Sequence, residues 1–450
     1  MVVERLSLPS AEHAARALAA RPGLAWLDGD GSPGEGRFSY VASDPVERCV
    51  RTLADPAPLS AMRTLGPGAG GHDDAPDGTP RTPRWIGYLA YDAAWAGPGG
   101  AHRHARITRD SGDFALCFSR FDAVVAFCHA SGEAWIVGDD TDACARLRAR
   151  LAAAETTDIG FTVDTLEVPV GGAHLEAVER ALALIAAGDL YQVNLARRWT
   201  AALRGRDPRG AALGLYLAMR RASPVPLGAF LDAGDHRVLA RTMERFLDWD
   251  GGTLRTRPIK GTVARTGRTD AADSAALRGD AKELAEHAMI VDLMRNDLGR
   301  LAVTGSVRVP QLLEVEPYAG LSHLVSTVEC RTRPGVRLDE VLEATFPPGS
   351  VTGAPKIRAM EVIETLEPVA RGVYCGALGF VDRQGGLSLA VAIRTAVARA
   401  GQVVYHAGGG LVMASQPARE LAETELKARA FLDAAGAPPP PEEAERSRPR

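Results

Sequence analysis

"HLEAVERALALIAAGDLYQVNLARRW", residues 174–199, changes period once, and that change decides the fold. Apolar residues recur at helical spacing up to Ala187, Gly188-Asp189 interrupts them, and a strand pattern follows. Upstream, "WIGYLAYDAA" (85–94), "FDAVVAFCHA" (121–130) and "EAWIVGD" (133–139) read as strands of mostly antiparallel sheet. Downstream, helices and strands continue to Leu432 without the regular rhythm of a parallel sheet. The expected class is therefore α+β, in layers.

With 450 residues the chain is long enough for about three domains or one large unit, and it can bury a large core. "GPGAGGHDDAPDGTPRTP" (66–83) holds almost nothing to bury and is expected to be a mobile loop; residues 436–450 are expected to be a disordered tail for the same reason. We place an N-terminal region at 1–165, whose strands contribute to a common core, and a second, catalytic region at 170–435.

The composition, 46% hydrophobic and 24% charged, is that of a soluble globular protein. A net charge of -4 argues for neither nucleic acid nor an anionic membrane as partner, since both favour a clustered basic surface. Six cysteines, at 49, 117, 128, 144, 330 and 375, form no CxxC pair and no zinc-type spacing with histidine. With no secretory leader pattern and no long apolar run, a cytoplasmic location is expected.

Five stretches or pairs of stretches carry chemistry. In "AKELAEHAMIVDLMRNDLGR" (281–300) Glu283, Glu286 and His287 fall on one helix face, and "PARELAETELKARAFL" (417–432) repeats the device with Glu420, Glu423 and Lys427. Two such carboxylate pairs could hold a hard divalent cation, or they could be solvated faces supported by Glu/Lys pairs. "VYHAGGGLVMASQPARE" (404–420) puts Gly408, Gly409 and Gly410 between a strand and a helix, where their amides can approach an anion or simply make a turn. Just before it, "LAVAIRTA" (389–396) sets Arg394 in an apolar strand, where a charge needs a carboxylate partner. In "FPPGSVTGAPKIRAMEVIETLEP" (346–368) a loop leads straight into a helix, and its amides with the Thr352 hydroxyl make a small niche for an anion. Finally, "RPIKGTVAR" (257–265) places Lys260 where a strand end runs into a glycine turn.

These segments, with "EHAMIVDLMRND", "LSHLVSTVE" and "RGVYCGALGF", resemble the chorismate-utilising enzymes, a family of anthranilate synthase component I, aminodeoxychorismate synthase component I and the isochorismate and salicylate synthases. The resemblance is dense from about 174 to 432, and "RFSYVASDP" (37–45) extends it weakly upstream. It implies the anthranilate synthase component I-like fold, a sandwich of mostly antiparallel sheets with helices outside.

The resemblance also assigns roles. Mg²⁺ would be held over the ring carboxylate of chorismate by Glu286, Glu420 and Glu423, with Glu283 close by. Arg394, Tyr405 and the amides of Gly408, Gly409 and Gly410 would meet the enolpyruvyl carboxylate, while Thr352, Gly353 and Lys427 would surround the ring carboxylate. His323 would lie near the ring, a core histidine being the other reading of that residue. Glu244 would protonate the departing C4 hydroxyl, a task that favours a carboxyl of raised pKa.

Lys260 then divides the family, because the C2-aminating and water-adding members usually carry alanine there. Its neutral amine would attack C2 and hold the ring as an adduct, and ammonia would add at C4 to give 4-amino-4-deoxychorismate. Gln192 stands where the water-adding members carry a lysine base, and a neutral amide cannot serve as one. The expected enzyme is an aminodeoxychorismate synthase component I; the alternative is anthranilate synthase component I or another chorismate-aminating relative. No glutaminase motif is present, so a separate glutamine amidotransferase subunit would supply ammonia, and 4-aminobenzoate would be formed by another protein. Two departures stand out: Thr242-Met243-Glu244 replaces the usual Ser-Pro-Glu, and Ser223 and Leu227 replace the asparagine and aromatic of tryptophan-binding relatives.

Overall fold

The helix expected from His174 spans Gly171–Ala186, and Gly188, at φ +83°, lets the chain leave it. The strand that follows, Gln192–Arg204, is thirteen residues long. In the computed structural model, which describes residues 1–66, 81–96, 114–154, 157–264, 277–279, 281–317 and 321–436, this strand belongs to a twelve-stranded sheet. A second sheet has ten strands. The pairings that frame the site are all antiparallel. The chain is thus α+β, as its two periods imply.

The sheets face each other across a layer that includes Ile86, Tyr88, Val124, Val238, Ala240, Leu378 and Ala390. Helices Ala11–Ala17, Thr141–Ala152, Pro208–Ala222 and Pro417–Ala434 cover the outer face of the first sheet, packing on Trp26, Trp199, Phe230 and Tyr405. Helices Ala281–Gly299 and Leu338–Thr345 cover the second, over Phe246, Leu254 and Val328. Strands on both sides of His174 interleave. Ala25–Asp28 pairs with Leu227–Asp232 in the first sheet, and Pro83–Leu89 pairs with Ala377–Asp382 in the second.

Two neighbouring strands change sheet at the same level. His236–Thr242 lies in the first sheet and Arg245–Trp249 in the second, so Met243 and Glu244 make the crossing. Leu387–Val391 lies in the second and Thr395–Arg399 in the first, so Ala392, Ile393 and Arg394 make the return. The crossings are tied together, Val391 N donating to Glu244 O at 2.9 Å and Arg241 N to Arg394 O at 3.0 Å. Backbone that leaves a sheet opens a gap between layers, and the main cavity sits there.

The apolar run at 85–94 does not stay extended: the strand ends at Leu89 and Tyr91–Trp95 is a 3-10 turn. Most of the 66–83 loop, and the tail beyond residue 436, lie outside the described residues.

Candidate active site

A cavity of about 390 Å³ opens beside the crossings, lined among others by Glu244, Lys260, His323 and Arg394. It gathers most of the residues singled out in the sequence. Glu283, Glu286, Gly408, Gly410, Glu423 and Lys427 line it too.

Lys260 owes its position to a bulge rather than to a turn at a strand end. Strand Ile259–Ala264 pairs with Leu321–Arg331, but the register slips between Lys260↔Leu324 and Thr262↔His323, leaving Gly261 as the extra residue. Gly261 has φ +66°, a conformation that costs glycine nothing, and a bulge of this kind re-aims the neighbouring side chain. The carbonyl of Gly261 lies 3.3 Å from His323 Nδ1, which fixes that ring at the cavity wall. Burial holds His323 neutral, its pKa pushed down to about 4.

Glu244 is buried, with 6% of its surface exposed. Desolvation raises its pKa from 4.5 to about 7, against the pull of the Ser350 hydroxyl and of the cations Lys260 and Lys427. A carboxyl in that range can carry a proton near neutral pH and release it to a leaving group. Thr242-Met243-Glu244 therefore still brings the Glu244 carboxyl to the cavity.

Glycines 408–410 do not lie between a strand and a helix. They sit inside strand Gln402–Leu411, opposite Ala196, Leu195 and Asn194 of Gln192–Arg204. Each close approach explains one of them: a Cβ on Gly408 would meet Leu195 O at 2.5 Å, one on Gly409 would meet Glu420 Oε2 at 3.2 Å, and one on Gly410 would meet Gln192 Nε2 at 2.6 Å. The strand is stripped of side chains here, so that the helix carrying Glu420, Glu423 and Lys427, and Lys260 from the other sheet, can reach its backbone. Lys427 Nζ donates to Gly408 O at 2.9 Å and pairs with Glu423 at 2.5 Å. Burial lowers the Lys427 pKa, Lys260 and Arg394 add to the effect, and Glu423 opposes it.

Arg394 is not inside a strand but on the crossover, at φ +51°. Left-handed backbone in a non-glycine residue costs on the order of 1 kcal/mol and is held there by its surroundings. Its guanidinium donates to the carbonyl of Lys427 at 3.0 Å, and the Tyr405 hydroxyl donates to the same atom at 3.2 Å. Tyr405, buried and stacked on Phe431, stands behind the cavity wall rather than in it.

The loop at 346–355 is more ordered than a simple entry to a helix. Gly349–Val351 forms a 3-10 turn, Gly353–Ala354 pairs with Val193 and Gln192, and the helix begins at Lys356. The Thr352 hydroxyl donates to Pro348 O and Gly349 O at 3.1 and 3.2 Å, so it offers no anion niche. Gly353, where a Cβ would meet Gln192 O at 2.1 Å, likewise sits behind the wall, and Ser350 and Val351 face the cavity instead.

The carboxylates fit a hard divalent cation in kind, being oxygen donors of which Glu286 and Glu420 are buried. In spacing they fall short, because among the described residues no group of three His, Cys, Asp or Glu side chains could hold a metal ion. Glu420 and Glu423 flank Gly409, while Glu283 and Glu286 come from the other helix. His287, on the same helix, turns to the core instead of lining the cavity: it is fully buried and its Nε2 lies 2.7 Å from Ser326 Oγ.

Asn194, Tyr374 and His406 also line the cavity, and sequence reasoning had not selected them. The signal was present, since His406 precedes Gly408 and Gly410 by two and four residues and so shares their face of the strand. Gln192 is fully buried against Gly410, and its side-chain amide has no hydrogen-bond partner among the described residues.

Residues 35–433 match the family model described as chorismate binding enzyme. Aminodeoxychorismate synthase component 1 of Klebsiella aerogenes is 42% identical over 259 residues, 57% of this chain and 56% of that one. Anthranilate synthase component 1 of Aquifex aeolicus is also 42% identical, over 262 residues, 58% of this chain and 52% of that one. The matched stretch thus spans little more than half the length of these relatives. The crystal structure of anthranilate synthase component I from Streptococcus pneumoniae superposes with a TM-score of 0.74 at 29% identity, over 89% of this chain and 92% of that one. With so much of its length matched, and with the matched residues building the cavity, the chain belongs to the family of chorismate binding enzymes.

Proposed function

We propose that this protein aminates chorismate at C4 with ammonia, giving 4-amino-4-deoxychorismate as an aminodeoxychorismate synthase component I does. The observation that carries this reading is the meeting, in one cavity, of Lys260 with a buried carboxyl, Glu244, whose pKa is raised to about 7.

The Lys260 amine forms a bond to C2, both conjugated ring double bonds shift by one position, and the C4 hydroxyl leaves as water with the proton of Glu244. Ammonia then bonds to C4, both double bonds shift back, and the C2–nitrogen bond breaks to return the lysine. One proton from the incoming ammonia restores Glu244. Arg394 and the backbone of the Gly408–Gly410 strand would bind the enolpyruvyl carboxylate, and Lys427 would face the ring carboxylate. Glu283, Glu286, Glu420 and Glu423 would hold Mg²⁺ only after drawing closer together than they stand here, and its charge would then neutralise the ring carboxylate. Ammonia would come from a separate glutamine amidotransferase subunit, consistent with the "component 1" in the relatives' names.

The second reading is amination at C2, as in anthranilate synthase component I, favoured by the equal identity to relatives of that name. Lys260 supports the first. Mass spectrometry of the product from chorismate, ammonium and Mg²⁺ separates them: 4-amino-4-deoxychorismate retains the enolpyruvyl group, and anthranilate as sole product overturns the C4 assignment.

A further inference from the structure

Behind the main cavity lies a second one of about 230 Å³. Thr395, Val397 and Arg399 of one strand and Gln402, Val404 and His406 of the next line it, as successive inward-facing positions of one hairpin. Ala400 and Gln402, at the hairpin tip, are exposed. The cavity therefore runs from solvent inward between the sheets.

Among the described residues the two cavities share two lining residues, Tyr374 and His406. Their rings stack at 5.3 Å between centroids and 13° between planes, and this pair forms the partition. The charged groups of the second cavity are already committed. Arg371 donates to Glu367, to Val351 O and to Asn194 O, and Arg399 pairs with Asp235. Such a lining has no spare charge with which to retain an anion, and its arginines disfavour a cation. At the partition His406 Nε2 is buried and has no hydrogen-bond partner among the described residues. Burial keeps the ring neutral, its pKa pushed down to about 3. A neutral molecule of one heavy atom that can exchange a hydrogen bond is what this passage suits.

We propose that the second cavity is the route by which ammonia, as the uncharged base, reaches the ring once chorismate occupies the main cavity, passing the Tyr374–His406 partition. This rests on the amination reading. Tyr374 and His406 line the main cavity together with Glu244. Ammonia passing the pair enters the cavity that Glu244 lines.

The test narrows the passage without touching the catalytic groups. Val404→Phe fills its middle and Gln402→Trp obstructs its exposed mouth, the second chosen because a surface change leaves the core intact. With ammonium as donor and chorismate saturating, each should raise the KM for ammonia about tenfold, with chorismate affinity and melting temperature unchanged. Unchanged ammonia KM in the folded Gln402→Trp and Val404→Phe proteins would mean entry through the main cavity, and would overturn the route alone. Absence of any aminated product from the unaltered protein would overturn the amination reading and the route with it.

Discussion

The Lys260 amine nitrogen stands 3.4 Å from the point that a Cβ on Gly410 would occupy, so the lysine lies against bare backbone of the neighbouring sheet. That closeness links the bulge at Gly261 to the glycine run, two features far apart in the chain. It also separates Gly410 from Gly408 in what an added side chain would disturb.

Gly410→Ala would push its methyl into Gln192 Nε2 at 2.6 Å and against Lys260. Gly408→Ala would strike backbone instead, Leu195 O at 2.5 Å. We expect Gly410→Ala to lose turnover about tenfold or more while melting near the unaltered protein. Gly408→Ala should melt lower by an overpacking cost of about 1–3 kcal/mol. Thermal melts beside rate measurements check both, and a reversed pattern would remove the distinction.

Lys260→Ala should reduce C4 amination at least about a thousandfold without unfolding the protein, because a nucleophile that forms the adduct has no substitute. Wild-type turnover in that variant would eliminate the covalent route. Trapping of a chorismate-derived mass on the Lys260 peptide provides the positive evidence.

Glu244 predicts a pH limb. As a proton donor with a pKa of about 7, it supports activity below that value, and the rate should fall as pH rises through it. Glu244→Gln should lower the rate by about 10²–10⁴ and abolish the limb. Stability moves with the same group. Its folded pKa lies above its ordinary 4.5, so its contribution is fully present below 4.5 and lost as pH climbs to about 7. At pH 8 the glutamine variant should therefore be more stable, by roughly 3 kcal/mol. A flat pH–rate profile across neutrality would refute the assignment.

Metal dependence is the fourth expectation. Activity should vanish in EDTA and return with excess Mg²⁺, and Glu420→Gln should raise the Mg²⁺ concentration required for half activity. Full turnover in chelator would detach the four carboxylates from any cation.

Much of this was legible in the residues, for definable reasons. The helix that stops at Gly188 is written in a single change of period, and local period survives folding. Lys260, Glu244 and Arg394 were legible as chemistry, but their backbones were not. The bulge at Gly261 and the crossovers at Glu244 and Arg394 depend on which strand pairs with which, and pairing is non-local. Thr352 shows the same limit: its hydroxyl suited an anion niche until Pro348 O and Gly349 O came within reach. His287, one residue beyond Glu286, follows the helix period, yet Ser326 drew it into the core.

The interleaving of strands bears on any attempt to transplant this active site. The ladder of Gly228–Leu231 against Ala25–Asp28 and that of Ala377–Asp382 against Pro83–Leu89 are seams between the two halves of the chain. A chimaera that takes residues after His174 from one relative and the remainder from another must match both seams at once. Mismatch at either would leave an open sheet edge, and such hybrids would aggregate before their catalysis could be compared.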